Sequence, residues 1–468
     1  MNMKRFIRIT AVLALVALAA VPTFAAARGK ADFTKFVAIG DSYGAGFESG
    51  SLNINHQQFS WPAIIARQAA GLKVCPPTAV ATDVCFAEPL VSFPGISNEL
   101  QLLSVTGSIA PAPGTGAPLM TTFARPYNNL AIPGANVNDT ITLKGLDPAT
   151  STAKAFAQFI LRGQGTEADL ALAQNPTFIA VWIGGNDVLG SVLAGTPALL
   201  TPTAAFTTAY NALLDKLVAG APNAGIVVGN LPTNPLALPY LTTVPRVLVD
   251  QNRQVVLVGG QPVPLIADLG GGNIGPLPAG SFVVLPAANK IATGQGIPPQ
   301  LKNIPPFNQL PNVGVPLADT DVLTPDEAAK IVAAASAFND VITQAAAARN
   351  IPVADIKGLF DRIAAGQEFV GPLSITGAFV TGGAFSLDGF HMTDLGYTLF
   401  ANEYIKTINT SYDTQIPLAS VATFFQNNDP TQAGGINYSL PLTPEAVATI
   451  NLFIPKLPTP VRHRATTH

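Results

Sequence analysis

The chain has 468 residues, of which 48% are hydrophobic and 11% charged, with a formal net charge of −3. That balance gives no electrostatic case for nucleic-acid binding and supplies enough apolar side chains for a large core. Forty-one prolines and 41 glycines imply long irregular excursions between regular elements, in a chain that is long for one ordinary domain.

Residues 1–27 read as a cleavable signal peptide. Lys4, Arg5 and Arg8 precede an apolar run from Ala11 to Val21, and the small residues Ala25, Ala26 and Ala27 follow. This is the order of a secretory leader, and the run is too short to span a bilayer. The expectation is a secreted or periplasmic protein with no transmembrane segment in its mature part. Cys75 and Cys85 fit export, since they could close a short loop in an oxidising compartment. Two cysteines alone do not make a zinc site, and neither a metal nor a cofactor is expected.

The first strand is Phe36-Val37-Ala38-Ile39, stopped by Gly40-Asp41-Ser42. An apolar run of this length reads as a buried strand, and the glycines after it permit a tight turn that leaves the Ser42 hydroxyl at the C-terminal edge. Ser60-Trp61-Pro62 then caps a helix through Ala70. Residues 73–125 lose periodicity and read as a surface excursion. Regular structure returns with a short strand at 127–135 that ends in Pro133-Gly134, followed by helices at 153–161 and 167–173. Phe178-Ile179-Ala180-Val181-Trp182-Ile183 is a fully apolar strand ending at Gly184-Gly185-Asn186-Asp187. A helix at 202–218 and a strand at 226–228 continue the alternation. From there to residue 321 the pattern dissolves into Pro- and Gly-rich sequence, and 236–321 reads either as a lid-like, substrate-shaping insertion or as a decoration without chemistry. A helix from Pro325 to about Ala348, a strand at 351–355 and a last helix from about Thr393 to Ile408 complete the core. Residues 412–468 form a C-terminal tail without a strong pattern. Strands alternating with helices argue for an α/β fold, a mostly parallel sheet covered on both faces.

Histidine is scarce: His56, His391, and His463 and His468 in the tail. A serine hydroxyl needs an adjacent base to act as a nucleophile near neutral pH, and imidazole has the suitable basicity. His391 follows Asp388 by three residues, a spacing that lets a carboxylate reach one ring nitrogen while the other faces a nucleophile. His56 lies in an Asn-rich stretch and reads as a solvated or locally bonded loop residue. Acyl transfer also needs donors aimed at a developing oxyanion, and the N–H groups of Ser42 and Gly134 with the amide of Asn186 supply three. Taken singly, Ser42 and Gly134 also read as turn residues, and Asn186-Asp187 as a helix cap.

Gly40-Asp41-Ser42, the Gly134 segment, Gly184-Gly185-Asn186-Asp187 and Asp388-Gly389-Phe390-His391 together resemble the four blocks of the GDSL, or SGNH, hydrolase family. The resemblance covers about 33–71, 127–235 and 323–411, with Tyr43 where a leucine usually stands. It implies a three-layer α/β/α flavodoxin-like fold over 28–411 and carboxylic ester hydrolysis, with Ser42 as nucleophile, His391 as base, Asp388 as its orienting acid and Ser42, Gly134 and Asn186 as the oxyanion hole. The implied partner is a small-molecule or lipid ester. Carbohydrate O-deacetylation and a non-catalytic binding role on a hydrolase scaffold are the alternatives. Gly40-Asp41-Ser42-Tyr43-Gly44 also fits the G-x-S-x-G nucleophile elbow, but that serine normally lies mid-chain, and its acid lies far from the histidine.

Overall fold

A run that is apolar at every position can be buried only if both faces of its strand are covered. The computed structural model, which describes residues 26–103, 109–250 and 254–421, meets that requirement with a four-stranded parallel sheet. Strand β1 (Phe36–Gly40) pairs with β2 (Phe178–Trp182), β2 with β3 (Gly225–Gly229), and β3 with β4 (Val353–Ala354). Every residue of the first three is buried. The signal-peptide expectation falls almost wholly on residues outside those described, as does most of the tail.

The strand expected at 127–135 appears as a ribbon along the free edge of β1. Ala38 N donates to Asn128 O at 2.9 Å, Leu130 N to Ala38 O at 3.0 Å and Ile132 N to Gly40 O at 2.9 Å. Its side-chain amides interrupt regular pairing. Asn128 Nδ2 donates to Phe36 O, and Asn129 Nδ2 donates to Gly44 O and Glu88 Oε1. With this ribbon as the second segment in chain order, the sheet runs 2-1-3-4-5, the flavodoxin-like order, whose ligand crevice opens where the loops after the first and third strands diverge.

Helix α1 (Trp61–Ala70) starts as its sequence demands, with Ser60 Oγ accepting from Ala63 N and Pro62 in the first turn. Helices α2 (Thr152–Ile160) and α3 (Glu167–Ala173) follow the ribbon and precede β2. After β2 come α4 (Asn186–Leu193) and α5 (Thr203–Gly220). The long helix α6 (Pro325–Ala347) opens on a Thr324/Glu327 capping box, α7 (Ile356–Ala364) follows β4, and α8 (Asp394–Tyr412) ends the core. Helix α5 packs on α3 and on α6 at one face, where Phe206 stacks on Phe338 with ring centroids 4.0 Å apart. Helices α1, α7 and α8 cover the other, where Trp61 stacks on Tyr404, and the Tyr404 hydroxyl donates to Val181 O.

Residues 73–125 remain irregular, with Cys75 and Cys85 joined in a disulfide, yet they bury Phe86 and Leu90 in the main core. The 236–321 insertion carries short strand pairs and is tied to the rest by Phe282–Val283 pairing with Val322–Leu323. No helix among the described residues is long and apolar enough to cross a membrane.

Behind the Ser42 turn, Glu88 is fully buried and accepts from Ser60 Oγ at 2.6 Å and Asn129 Nδ2 at 2.8 Å. Burial pushes its carboxyl up to about 8, against the donors and Arg67, which pull it down. The sign follows directly: between the ordinary carboxylate range and about 8 the folded state holds a proton that the unfolded chain has released, so stability falls as pH rises through that window. Glu88→Gln keeps an oxygen for both donors and removes the proton. Its melting temperature relative to the parent is therefore expected to rise progressively between pH 5 and pH 8, and a difference that stays constant across that range contradicts the assignment.

Candidate active site

The site begins at Gly40, which is held on both sides. It stands opposite Trp182 in the β1–β2 register, and its carbonyl accepts from Ile132 N. A Cβ there would lie 2.6 Å from Trp182 O, so only glycine fits. Ser42, Gly134 and Asn186 lie two, two and four residues beyond Gly40, Ile132 and Trp182. Three adjacent segments therefore deliver the three predicted oxyanion donors to one sheet edge.

Past Gly40 the chain turns at once into a one-turn helix, Ser42–Ala45. The Asp41 carboxylate accepts Tyr43 N at 3.0 Å as its cap. Against Ser42 lies the loop before α8, closed by bonds from Ser386 N to His391 O at 2.8 Å and Gly389 N to Ser386 O at 3.0 Å. His391 Nε2 is 2.8 Å from Ser42 Oγ, and His391 Nδ1 is 2.7 Å from Asp388 Oδ2. The expected serine, histidine and aspartate are thus joined in a single buried relay.

The two oxygens of Asp388 divide their work. Oδ1 accepts Phe390 N and His391 N and so shapes the loop, while Oδ2 accepts His391 Nδ1 and, at 2.8 Å, Gly50 N. Burial raises the Asp388 carboxyl, but His391 and these N–H donors outweigh it and hold it below its ordinary value. An ionised Asp388 fixes the proton of a neutral imidazole on Nδ1, leaving the Nε2 lone pair to accept from the Ser42 hydroxyl. The Tyr43 hydroxyl donates to Phe390 O and braces the same loop, and the rings of Phe47 and Phe390 pack beside His391 at 4.8 and 4.4 Å.

Asn186 opens α4, and its Nδ2 donates one hydrogen to Ala135 O at 2.9 Å. A side-chain amide has two such hydrogens, so one remains for a ligand. Asp187 Oδ2 accepts Val137 N at 3.0 Å, a second stitch between α4 and the Gly134 turn. Burial pushes Asp187 up to about 6. Gly134 itself has φ +85°, a left-handed conformation, and a Cβ on it would meet Thr152 Cβ at 3.0 Å and Ala153 N at 3.1 Å.

An apolar recess is lined among others by Tyr43, Trp182, Gly185, Val188, Leu238 and Phe360, with Tyr43 and Gly185 the chain neighbours of Ser42 and Asn186. The insertion reaches the relay loop directly: Tyr240 N donates to Gly389 O at 2.9 Å, and the Tyr240 ring meets Phe390 edge-on.

The expectation for His56 requires correction. It is neither solvated nor bonded only locally; it is 5% exposed, with Nε2 2.7 Å from Glu99 and Nδ1 3.1 Å from Asp394 and 3.2 Å from Glu48. Two of these partners lie 43 and 338 residues away, beyond any local pattern. Gly50, Ser386 and Tyr240 were likewise not singled out from the sequence. Only the positive-φ demand at Ser49-Gly50, a turn signal, was available to find one of them.

The sequence matches the family model "GDSL-like Lipase/Acylhydrolase" over residues 36–404, and the chain belongs to that family. It is a carboxylic ester hydrolase. No curated protein matches the sequence. Among solved structures it is similar to an extracellular lipase from Streptomyces rimosus (16% identity, TM-score 0.32, covering 81% of this chain and 99% of that one). It is also similar to phospholipase A1 from Streptomyces albidoflavus NA297 (15%, 0.31, 83% and 100%) and to a family 3 carbohydrate esterase from Clostridium thermocellum (12%, 0.33, 82% and 99%).

Gly134→Ala forces a side chain into a left-handed turn against Thr152, which reorients the Gly134 N–H. The expected result is a kcat on short p-nitrophenyl esters lower by roughly ten- to a hundredfold with little change in KM. An unaltered kcat in a folded variant would remove Gly134 from the reacting groups.

Proposed function

We propose that this chain is an exported serine esterase with lipase-like preference, working through an acyl-enzyme intermediate at Ser42. The observation that carries the reading is the continuous Ser42–His391–Asp388 hydrogen-bond chain of 2.8 and 2.7 Å, with ionised Asp388 at its far end.

In this reading Ser42 Oγ attacks the ester carbonyl carbon while His391 Nε2 takes its proton. The carbonyl oxygen becomes an oxyanion, which receives hydrogen bonds from Ser42 N–H, Gly134 N–H and the remaining Asn186 amide hydrogen. His391 returns the proton to the leaving alcohol oxygen as the C–O bond breaks. Water then attacks the acyl-Ser42 carbonyl by the same route in reverse, releasing the acid and restoring the hydroxyl. The imidazolium formed between these steps is balanced by Asp388.

The apolar recess lined by Tyr43, Trp182 and Phe360 suits a lipophilic acyl or alcohol group. Export is supported by the order of charge, apolar run and small residues at 4–27 and by the Cys75–Cys85 disulfide. The catalytic unit is 28–411, with 73–125 and 236–321 as its excursions.

Ser42→Ala is expected to abolish turnover of short and medium-chain p-nitrophenyl esters, to below a thousandth of the parent rate, without changing the fold. Full activity would mean that another group is the nucleophile. Asn186→Ala should lower kcat roughly a hundredfold or more and leave KM nearly unchanged, because its second hydrogen acts chiefly in the transition state. An unchanged kcat there would exclude Asn186 from the oxyanion hole. A panel running from acetyl to long-chain esters, with acetylated sugars included, separates the lipophilic reading from carbohydrate O-deacetylation.

A further inference from the structure

His56 is one of two histidines among the described residues, and the reaction at Ser42 makes no use of it. It lies on a one-turn helix, Ile54–Gln57, whose cap Asn53 also donates through Nδ2 to Glu99 Oε2. Its ring has a carboxylate on either side. Nε2 faces Glu99 from the irregular excursion; Nδ1 faces Glu48 from the turn after Ser42 and Asp394 from the start of α8. All four groups are at most 5% exposed. A neutral imidazole has one N–H and one lone pair, so on one side it would face either a bare carboxylate oxygen or a carboxyl that keeps its own proton, and burial raises Glu48 well above its ordinary value while His56 pulls it down. A doubly protonated ring donates on both sides.

The elements that this ring joins are the ones that hold Asp388. Glu48 and Ser51 exchange two backbone bonds of 2.9 Å, with Ser49 at φ +50° and Gly50 at φ +75° between them. This is the two-residue turn with both central residues left-handed, and Ser49 is strained in it. The turn aims Gly50 N at Asp388 Oδ2 and Ser49 N at Ser386 Oγ, at 2.8 and 2.9 Å. Leu100 N, next to Glu99, donates to Ser49 O at 2.8 Å, and Asp394 stands three residues after His391.

We propose that His56 is a buried imidazolium that locks the Glu48–Ser51 turn to α8 and to Glu99, and thereby positions the carboxylate of Asp388 against His391. It is a positioning residue, and this part of the inference rests on the Ser42–His391–Asp388 reading above. The charges around it agree. Burial alone would push the His56 proton off, but Glu48 and Asp394 outweigh that and hold its proton affinity well above the ordinary histidine value.

The first test does not depend on the triad. In 15N-labelled protein at pH 7.5, where an ordinary histidine is mostly neutral, both ring nitrogens of His56 should carry hydrogen in the parent and in Ser42→Ala alike. A bare ring nitrogen, or His56 resonances that move on adding zinc or EDTA, would overturn the imidazolium. The second test concerns positioning. His56→Gln should lower kcat on a short p-nitrophenyl ester roughly tenfold with KM within about twofold. Glu99→Gln should lower kcat in the parent but raise it in the His56→Gln background, since there it removes an uncompensated buried charge. Should His56→Gln fail to fold, Glu99→Gln in the parent decides the matter, and an unchanged kcat in either folded variant overturns the positioning role. A fully active Ser42→Ala would sink the triad reading instead, while leaving the nitrogen protonation result standing.

Discussion

The constraint on which the site depends is the crowding of three parallel segments at Gly40. The ribbon at 128–132 and strand β2 flank β1 on either side, and Trp182 O of β2 stands so close that no side chain fits at that position. Just beyond it each segment leaves the sheet in its own direction: Ser42 into a one-turn helix, Gly134 into a left-handed turn, Asn186 into α4. Parallel register therefore brings Ser42, Gly134 and Asn186, as much as 144 residues apart in sequence, to the same edge of the sheet. The cost is borne by buried carboxylates. Asp41, Glu167 and Asp187 are all raised by burial, and each accepts a backbone N–H that fixes one of these departures.

The His391 side is built differently. That loop lies outside the parallel sheet and is closed at its base by Ser386 N on His391 O and Thr393 N on Ala384 O, while Asp388 shapes it with one oxygen and orients the imidazole with the other. The loop is then clamped from three directions, by the Tyr43 hydroxyl on Phe390 O, by Tyr240 N on Gly389 O, and by the 48–51 turn on Asp388. The insertion that supplies Tyr240 is thus a support of the relay as well as a wall near it. A lid that opened freely would give up that hydrogen bond.

Strands and helices were legible in the sequence where one local rule suffices. The runs Phe36–Gly40 and Phe178–Trp182 are apolar throughout and belong to a sheet buried on both faces. The helix starts at Ser60 and Thr324 carry their own capping groups. The Asp388–His391 pairing was legible for the same reason, since three residues and a glycine turn bring it about. The ribbon at 127–135 was legible as extended chain but not as an interrupted ladder, because Asn128 and Asn129 act through side-chain bonds to Phe36, Gly44 and Glu88. His56 was misread because its polar neighbours in sequence are not its neighbours in space. Glu99 comes from an aperiodic excursion and Asp394 from the far end of the chain. Cooperation among distant buried charges leaves no periodic trace.

The central claim is that Ser42 is made nucleophilic by the relay that ends on Asp388. The most direct measurement is mass spectrometry of the intact protein after exposure to a fluorophosphonate, followed by peptide mapping. The account predicts a single covalent adduct on the peptide that contains Ser42, formed far more slowly when His391 is replaced by alanine. No adduct, an adduct on a different serine, or labelling at the parent rate without His391 would contradict it.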